Sequence, residues 1–294
     1  MSSRPARADA PHRARDPDGV AALAVDGLDR EVDAWPKPGL VSRIDPGSHD
    51  DMDAGTFRRS AAALRPHFAA LAGAGRAGAG MGRLRALGIA AEADMLAATG
   101  GVNTHRGAIF GLGLLCAAAG AADRLPSADT GETVPRPAPS TLGDAVAALW
   151  GAAILDGPAP LRSHGAAARR LHGAGGARAE AAAGFPTLYR VGLPALRHGR
   201  RLAPGDDEAA RVHCCFALVA ALEDTSVLHR GGPDGLAFAR REAAAFTARG
   251  GVGAPGWRGD ALRIHRAFVE RRLSPGGSAD LLAMTLFVDA WEAP

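Results

Sequence analysis

The chain has 294 residues, of which 47% are hydrophobic, and a formal net charge of +3. This length allows one large or two ordinary domains with a buried core, and arginines interleaved with acids argue against a nucleic-acid surface. The apolar stretches are too short to span a bilayer and the first residues lack a signal-peptide core, so we expect a cytoplasmic protein with no membrane partner. Three cysteines, two of them adjacent, predict neither a disulfide framework nor a zinc site.

The pattern along the chain is helical. Residues 1–16 are polar and rich in Pro and Arg, which predicts a disordered tail. From residue 17 to 294 alanine dominates, apolar residues recur every three or four positions and alternating β-branched runs are nearly absent, so we predict a single all-α domain of about ten helices. The Pro-rich stretch 122–140 predicts a long loop, and the sequence leaves its role as a lid open. The predicted helices cover residues 17–33, 54–73, 83–98, 105–121, 141–155, 160–179, 206–222, 234–249, 258–270 and 278–291.

Four helix junctions are dense in residues that bind phosphate, metal or protons, and the first is residues 35–53. It contains Lys37, the only lysine among 34 Lys and Arg residues, between two prolines that restrict the backbone. Asp51 and Asp53 follow at the start of a helix, where carboxylates complement the helix dipole. Closely spaced carboxylates are also ligands for Mg²⁺ bound together with phosphates. In that second interpretation Lys37 and the acids hold a polyphosphate from two sides.

The second junction, residues 91–115, runs from a helix carrying Glu92 through a Gly-Gly helix end into "NTHRG" at 103–107. Capping residues followed by a basic pair at a helix N-terminus indicate an anion seat, although an ordinary helix corner has the same residues. The third junction, residues 223–232, reads "EDTSVLHRGG" and is also typical of a helix C-terminus.

The fourth junction, residues 271–287, has a Gly-rich turn that opens into an apolar helix. Such a turn lets backbone N–H groups approach a phosphate closely. Asp280 in the first turns of this helix would repel a bare phosphate, so it is either a dipole partner or a metal ligand. The turn has neither a Walker lysine nor a preceding Rossmann strand.

Together these junctions resemble the triphosphoribosyl-dephospho-CoA synthases, which make the prosthetic-group precursor for the acyl-carrier subunits of citrate lyase and malonate decarboxylase. The matching motifs are "PKPGLV" (36–41), "GSHDDMD" (47–53), "GGVNTHRGAIF" (100–110), "DTSVLHRGG" (224–232) and "LSPGGSADLLA" (273–283). "RPHF", "GLGLLCAAAG" and "LSPGGSADLLAMTLFV" are more similar to the malonate-decarboxylase branch. Ser226 stands where the family's "DTN" element has asparagine, which weakens a ligand role for that position.

The resemblance implies that the ribose 2′-hydroxyl of 3′-dephospho-CoA attacks the anomeric carbon of ATP, that adenine leaves, and that Mg²⁺ assists. The active site then lies at the helix junctions, with ATP and dephospho-CoA as ligands and carrier-protein pathway enzymes downstream. Metal binding is assigned to Asp51, Asp53 and Asp280. Phosphate and nucleotide binding is assigned to Lys37, Asn103, Arg106, Arg230, Gly231, Ser274, Gly276, Gly277 and Ser278. Proton transfer is assigned to Glu92 or Asp224 as the base, and to His49 or His105 as the proton donor to adenine.

Two other interpretations remain open from the sequence. A Mg²⁺-dependent helical hydrolase of nucleotides or ADP-ribosyl groups would need the same acids and cations, with water as the acceptor. A helical adaptor for a carrier protein would instead leave the acidic loop solvated and bind no nucleotide. The sequence does not determine the oligomeric state.

Overall fold

The computed structural model describes residues 16–122, 140–158 and 176–293, and within them it is built of helices with no strand. The predicted all-α fold is confirmed. Of the predicted tail only Asp16 lies among the described residues, and most of the 122–140 loop and of the helix predicted over 160–179 lies outside them. The helices are α1 (Pro17–Asp33), α2 (Ala54–Arg76), α3 (Met81–Ala98), α4 (Arg106–Ala121), α5 (Leu142–Asp156), α6 (Gly176–Ala182), α7 (Leu193–Leu202), α8 (Asp207–Ala221), α9 (Thr225–Ala248), α10 (Trp257–Glu270) and α11 (Gly276–Trp291).

The largest departure from the sequence prediction is the segment 188–202. A π-helical turn, Leu188–Gly192, leads directly into α7, where no helix was predicted. Pro194 is at the first positions of α7, where proline is tolerated. Leu193 and Leu196 face the core.

Helix α9 also begins earlier than predicted, because its start is fixed by a capping carboxylate. Asp224 accepts hydrogen bonds from the backbone N–H groups of Ser226 and Val227. The predicted break near residue 232 is present as a kink, since Gly232 has φ of 62° inside the helix. The chain therefore forms a short helical segment that carries the third junction before it turns.

Helix α4 is the centre of the domain. Nearly all of its residues from Ala108 to Ala121 are buried, and it packs against α2, α3, α5 and α11. A helix that is apolar around its whole circumference must be covered on all sides, which places α4 inside the bundle. Helix α11 packs against α1, α4 and α8 and closes the core from the other side. The three cysteines are free and fully buried.

Among the described residues, no single helix is long and apolar enough to cross a membrane. The pair α8 and α9 passes that test only when its two helices are joined across a bend of 60°.

The contact between α2 and α4 depends on glycines that let the backbones approach. A Cβ atom on Gly75 would lie 1.9 Å from the carbonyl oxygen of Ala117, and one on Gly120 would lie 1.9 Å from that of Ala72. No side chain fits between these backbones, so the two helices cannot be this close with any larger residue.

We expect Gly75→Ala to destabilise the protein by about 1–3 kcal/mol, because the added methyl group forces α2 and α4 apart. Gly73→Ala, in the same helix, is the matched control, since a Cβ there meets no atom within 4 Å. It should be neutral or stabilise by up to about 1 kcal/mol through helix propensity. Urea unfolding of both variants measures the difference, and equal midpoints would contradict the close approach.

Candidate active site

One cleft of about 1340 Å³ collects residues from all four junctions. It opens where the start of α4, the start of α11 and the first segment of α9 meet the loop that precedes α2. Its lining includes aliphatic and aromatic side chains of α3 and α4 together with polar side chains from the four junctions. The residues assigned from sequence that line it are His49, Asp51, Glu92, Asn103, His105, Arg106, Arg230, Ser274, Gly276, Gly277 and Asp280.

Three junctions are joined through His49. Its Nε2 lies 2.8 Å from Ser274 Oγ, and Arg230 donates to its Nδ1 at 3.2 Å. Because an arginine N–H can only donate, Nδ1 is the acceptor and the ring proton resides on Nε2. Arg230 is further held by the carbonyl oxygens of Ser48 and Arg272, each at 3.2 Å. The guanidinium is therefore fixed at the cleft wall before any ligand binds.

The third and fourth junctions share a single carboxylate, that of Asp224. One of its oxygens caps α9, and the other accepts from the backbone N–H of Ser278 at 2.8 Å and from the Ser278 hydroxyl at 3.0 Å. Asp224 is 2% exposed and does not line the cleft. Both oxygens are occupied, so the structure places Asp224 as a clamp between two helix N-termini rather than where a base could reach a substrate hydroxyl.

The second junction meets the fourth at Asp280, on α11. The Asp280 carboxylate accepts a hydrogen bond from the backbone N–H of Ala108, and a Cβ on Gly107 would lie 2.0 Å from it. A side chain at position 107 would therefore displace the Asp280 carboxylate. Beside it, Arg106 forms an ion pair with Glu92, with Arg106 Nε to Glu92 Oε1 at 2.7 Å. Both side chains reach the cleft.

Lys37 lies beneath the cleft and not in it, which corrects the expectation that it contacts phosphate. It is fully buried, and its ammonium donates to the carboxylate and to the carbonyl oxygen of Glu31, both at 2.5 Å. The backbone of the lysine is held as well, since His265 Nδ1 lies 2.5 Å from its carbonyl oxygen. An ammonium this deep can act on a ligand only through Glu31, which does line the cleft.

Three further assigned residues also serve the fold at their positions. Asp53 is exposed and is the N-cap of α2, accepting from the Thr56 backbone N–H at 2.8 Å. Gly231 packs against Leu273, where a Cβ would clash, and Ser278 is fully buried against the Asp224 carboxylate. None of the three lines the cleft. Asp53 occupies the helix-cap position that was the first interpretation of its carboxylate.

Neither histidine assigned as a proton donor is set up to carry an extra proton near pH 7. Burial lowers the pKa of His105 to about 3. Burial and the neighbouring Arg230 lower the pKa of His49. Both shifts favour the neutral imidazole, which acts as a hydrogen-bonding group.

Three carboxyl groups, those of Glu31, Asp224 and Asp280, lie at or beneath the cleft. Burial raises the pKa of Glu31 against the opposing effect of Lys37, and burial raises the pKa of Asp224. The pKa of Asp280 is raised well above its usual range by burial and by the nearby Asp224 and Glu31. These shifts favour the protonated carboxyl groups, and a cation bound beside them would favour the ionised form instead.

The described residues contain no group of three His, Cys, Asp or Glu side chains arranged to hold a metal ion. The predicted trio is not assembled, because Asp53 caps α2 outside the cleft, while Asp51 and Asp280 both line it. Two carboxylates facing a cleft fit the way Mg²⁺ is commonly held, since it takes one or two protein carboxylates and completes its shell with water and substrate phosphate.

The chain is similar to known proteins over almost its whole described length. Residues 17–294 match the family described as "CitG: ATP:dephospho-CoA triphosphoribosyl transferase". The chain belongs to this transferase family. A relative from Stutzerimonas stutzeri, named "Probable 2-(5''-triphosphoribosyl)-3'-dephosphocoenzyme-A synthase", is 40% identical over 278 residues, covering 92% of this chain and 90% of the relative. A protein of the same name from Azotobacter vinelandii is 42% identical over 277 residues, covering 92% and 91%.

A third relative of the transferase, from Pectobacterium atrosepticum, is named "2-(5''-triphosphoribosyl)-3'-dephosphocoenzyme-A synthase" and is 41% identical over 269 residues, covering 88% of this chain and 84% of the relative. No solved structure matches the chain at significant similarity. The match to pentosyltransferases extends over the four junctions and the helices between them.

Sequence reasoning missed Glu31, which lines the floor of the transferase cleft. It lies near the end of α1 in "DREVD", which has the composition of a solvated helix end. The one signal was the solitary Lys37 downstream, because a lysine between two prolines close to a helix end needs a carboxylate partner if it is buried.

We expect Lys37→Met to destabilise the transferase by about 3–5 kcal/mol, because it leaves the Glu31 carboxyl buried without its partner. The double variant Lys37→Met with Glu31→Leu should be less destabilised than the sum of the single changes. Arg58→Met is the matched control, since Arg58 pairs with Asp33 on the surface at 2.8 Å and should cost at most about 1 kcal/mol. Urea unfolding measures the loss of stability for Lys37→Met, Glu31→Leu, the double variant and Arg58→Met. If the loss in the double variant equals the sum of the losses in the two single variants, the buried pair is contradicted.

Proposed function

We propose that the chain transfers the 5-triphosphoribosyl group of ATP to the ribose 2′-hydroxyl of 3′-dephospho-CoA and releases adenine. The bond from the anomeric carbon to adenine breaks, a bond from that carbon to the hydroxyl oxygen forms, and the proton of the hydroxyl is lost as adenine takes one up. The observation that carries this proposal is that four junctions distant in sequence line one cleft with fixed cations and carboxylates. The family and the names of the relatives support the same reaction.

The size of the cleft supports a reaction between two bound substrates. Its volume of about 1340 Å³ exceeds the roughly 300–1,000 Å³ that is usual for a single small ligand. Holding ATP and dephospho-CoA side by side turns a bimolecular attack into a reaction within one complex. With both substrates bound, little room is left in the cleft for a water molecule that would hydrolyse ATP instead.

The triphosphate is assigned to the end of the cleft that contains Arg230 and the N-terminus of α11. Arg230 is held by two carbonyl oxygens, and Gly276 and Gly277 bring the backbone of the helix start to the cleft surface. A helix N-terminus and a guanidinium together bind phosphate oxygens. Arg106 also lines the cleft. A phosphate group there would compete with the Glu92 carboxylate for the ion pair with the Arg106 guanidinium.

Asp51 and Asp280 would hold Mg²⁺ together with phosphate oxygens. Bound there, the ion would offset the charge of the triphosphate and of the acidic floor. The triphosphate is not the leaving group, so its tight binding serves to position the ribose at the other end of the nucleotide.

The carboxylates also suit the electronic demand of the reaction. Breaking the bond to adenine gives the ribose oxocarbenium character, which an ionised carboxylate beside the ribose stabilises. Glu92 is the assigned base for the 2′-hydroxyl proton, since of the two carboxylates considered it lines the cleft and Asp224 does not. Asp224 instead fixes the two helix starts that frame the phosphate end.

We expect adenine release only when ATP and dephospho-CoA are both present, with the product mass equal to dephospho-CoA plus triphosphoribose, and EDTA should stop it. Arg230→Met should lower kcat/KM by about 10²-fold, because a fixed donor to the triphosphate is lost. Arg263→Met on the exposed side of α10 is the control and should match wild type. Adenine or phosphate released at full rate without dephospho-CoA would contradict transfer and favour the hydrolase.

We further propose that the product serves malonate decarboxylase, on the likeness of "RPHF", "GLGLLCAAAG" and "LSPGGSADLLAMTLFV" to that branch. Disrupting the gene should then abolish growth on malonate and leave citrate fermentation intact. Restoring growth with the wild-type gene is the control, and loss of citrate fermentation alone would contradict this assignment.

A further inference from the structure

His105 is buried at the wall of the cleft and has one ring nitrogen without a partner. The residue is 3% exposed and lines the cleft, and its Nε2 has no hydrogen-bond partner within the described protein. A buried polar atom left unpaired costs about 1–3 kcal/mol, so it calls for an explanation such as a ligand that completes it. Its other ring nitrogen, Nδ1, and its backbone N–H both have hydrogen-bond partners.

The Nδ1 atom of the His105 ring contacts a short chain of two hydroxyl groups. Thr104 Oγ1 donates to Ser60 Oγ at 2.8 Å, and Ser60 Oγ lies 2.6 Å from His105 Nδ1. Ser60 is fully buried, so its own proton must go to an acceptor in the protein. With Thr104 donating, the remaining acceptor is Nδ1. A neutral imidazole that accepts at Nδ1 carries its proton on Nε2.

The surroundings of this N–H suit an uncharged aromatic ligand. Phe57 packs edge-on against the His105 ring, with ring centroids 4.8 Å apart and an interplanar angle of 78°, and it is half-buried in the same cleft. Met95 Sδ accepts from the His105 backbone N–H. Arg230, held against His49 where the first and third junctions meet, offers phosphate a fixed cation.

We propose that Ser60 and Thr104 are positioning residues that hold His105 with its proton on Nε2, and that this N–H donates to a ring nitrogen of the purine base of ATP. The inference rests on the proposed function for the identity of the nucleotide. When Phe57 moves slightly, the purine base can pack against the imidazole ring of His105. A ring nitrogen of the base then accepts the hydrogen bond from Nε2–H. As the bond to the ribose breaks, the base takes up the bonding electrons, and this hydrogen bond strengthens without transferring a proton.

The first test is the position of the proton. Nitrogen NMR of histidine-labelled protein should show His105 neutral with N–H at Nε2 from pH 8 to pH 5. Ser60→Ala should shift the ring toward a mixture of both tautomers, Thr104→Ser should keep the wild-type signal, and Thr247→Val is the control, because that hydroxyl bonds only helix carbonyls. A proton at Nδ1, or a charged ring at pH 7, would overturn the proposal.

The second test is calorimetric binding of ATP and of its 1-deaza, 3-deaza and 7-deaza analogues, which between them remove each ring nitrogen of the base that can accept a hydrogen bond. Wild type should bind ATP about two- to tenfold more tightly than the analogue that lacks the contacted nitrogen. His105→Phe should bind ATP and that analogue equally tightly, and Ser60→Ala should show a reduced difference. If ATP binds and all three analogues bind as tightly as ATP, the base contact is wrong and the proposed function stands. If ATP does not bind wild type at all, both fail.

Discussion

The arrangement of the site depends on one buried carboxylate that caps two helices at once. Asp224 accepts from the start of α9 with one oxygen and from Ser278, at the start of α11, with the other. Through α9 it places Arg230, and through α11 it places the glycine turn and Asp280. A single group thus sets the distance between the cation and the helix N-terminus that face the phosphate end of the cleft. Such a carboxylate is conspicuous in sequence, and its contacts in the structure hold other groups in place.

The charges beneath the cleft form the second constraint. Glu31 and Lys37 pair in the interior, and the segment after Lys37 is fastened to the fourth junction, since Ser48 donates to the Leu273 carbonyl oxygen at 2.6 Å. A buried pair of this kind contributes little net stability compared with apolar side chains of the same size, but it fixes where each member must lie. Here it anchors the loop that carries His49 and Asp51. The surplus of carboxylates over cations beneath the cleft favours ligands that arrive with a cation or develop positive charge.

The helices could be predicted from sequence where spacing, alanine content and glycine ends all agree, as for α3. Segment 188–202 could not be predicted, because it contains proline and glycines and its helical structure depends on packing against neighbouring helices. The family resemblance brought the four junctions together, but it did not separate residues that face the cleft from residues that support it. Lys37 and Glu31 show why: burial and pairing arise from tertiary contacts between a loop and a helix end, which local composition does not contain. Ser60, in the middle of α2, gave no signal of its contact with His105.

The central claim is that one cleft holds two substrates, with the triphosphate at Arg230 and the start of α11 and the ribose above the carboxylate floor. A crystal structure with dephospho-CoA and a non-reactive ATP analogue tests it most directly. The account predicts both ligands in the cleft, phosphate oxygens against Arg230 and the backbone of Gly276 and Gly277, and the dephospho-CoA 2′-hydroxyl beside the anomeric carbon. A nucleotide bound elsewhere, or a triphosphate that lies away from Arg230 and α11, would contradict it.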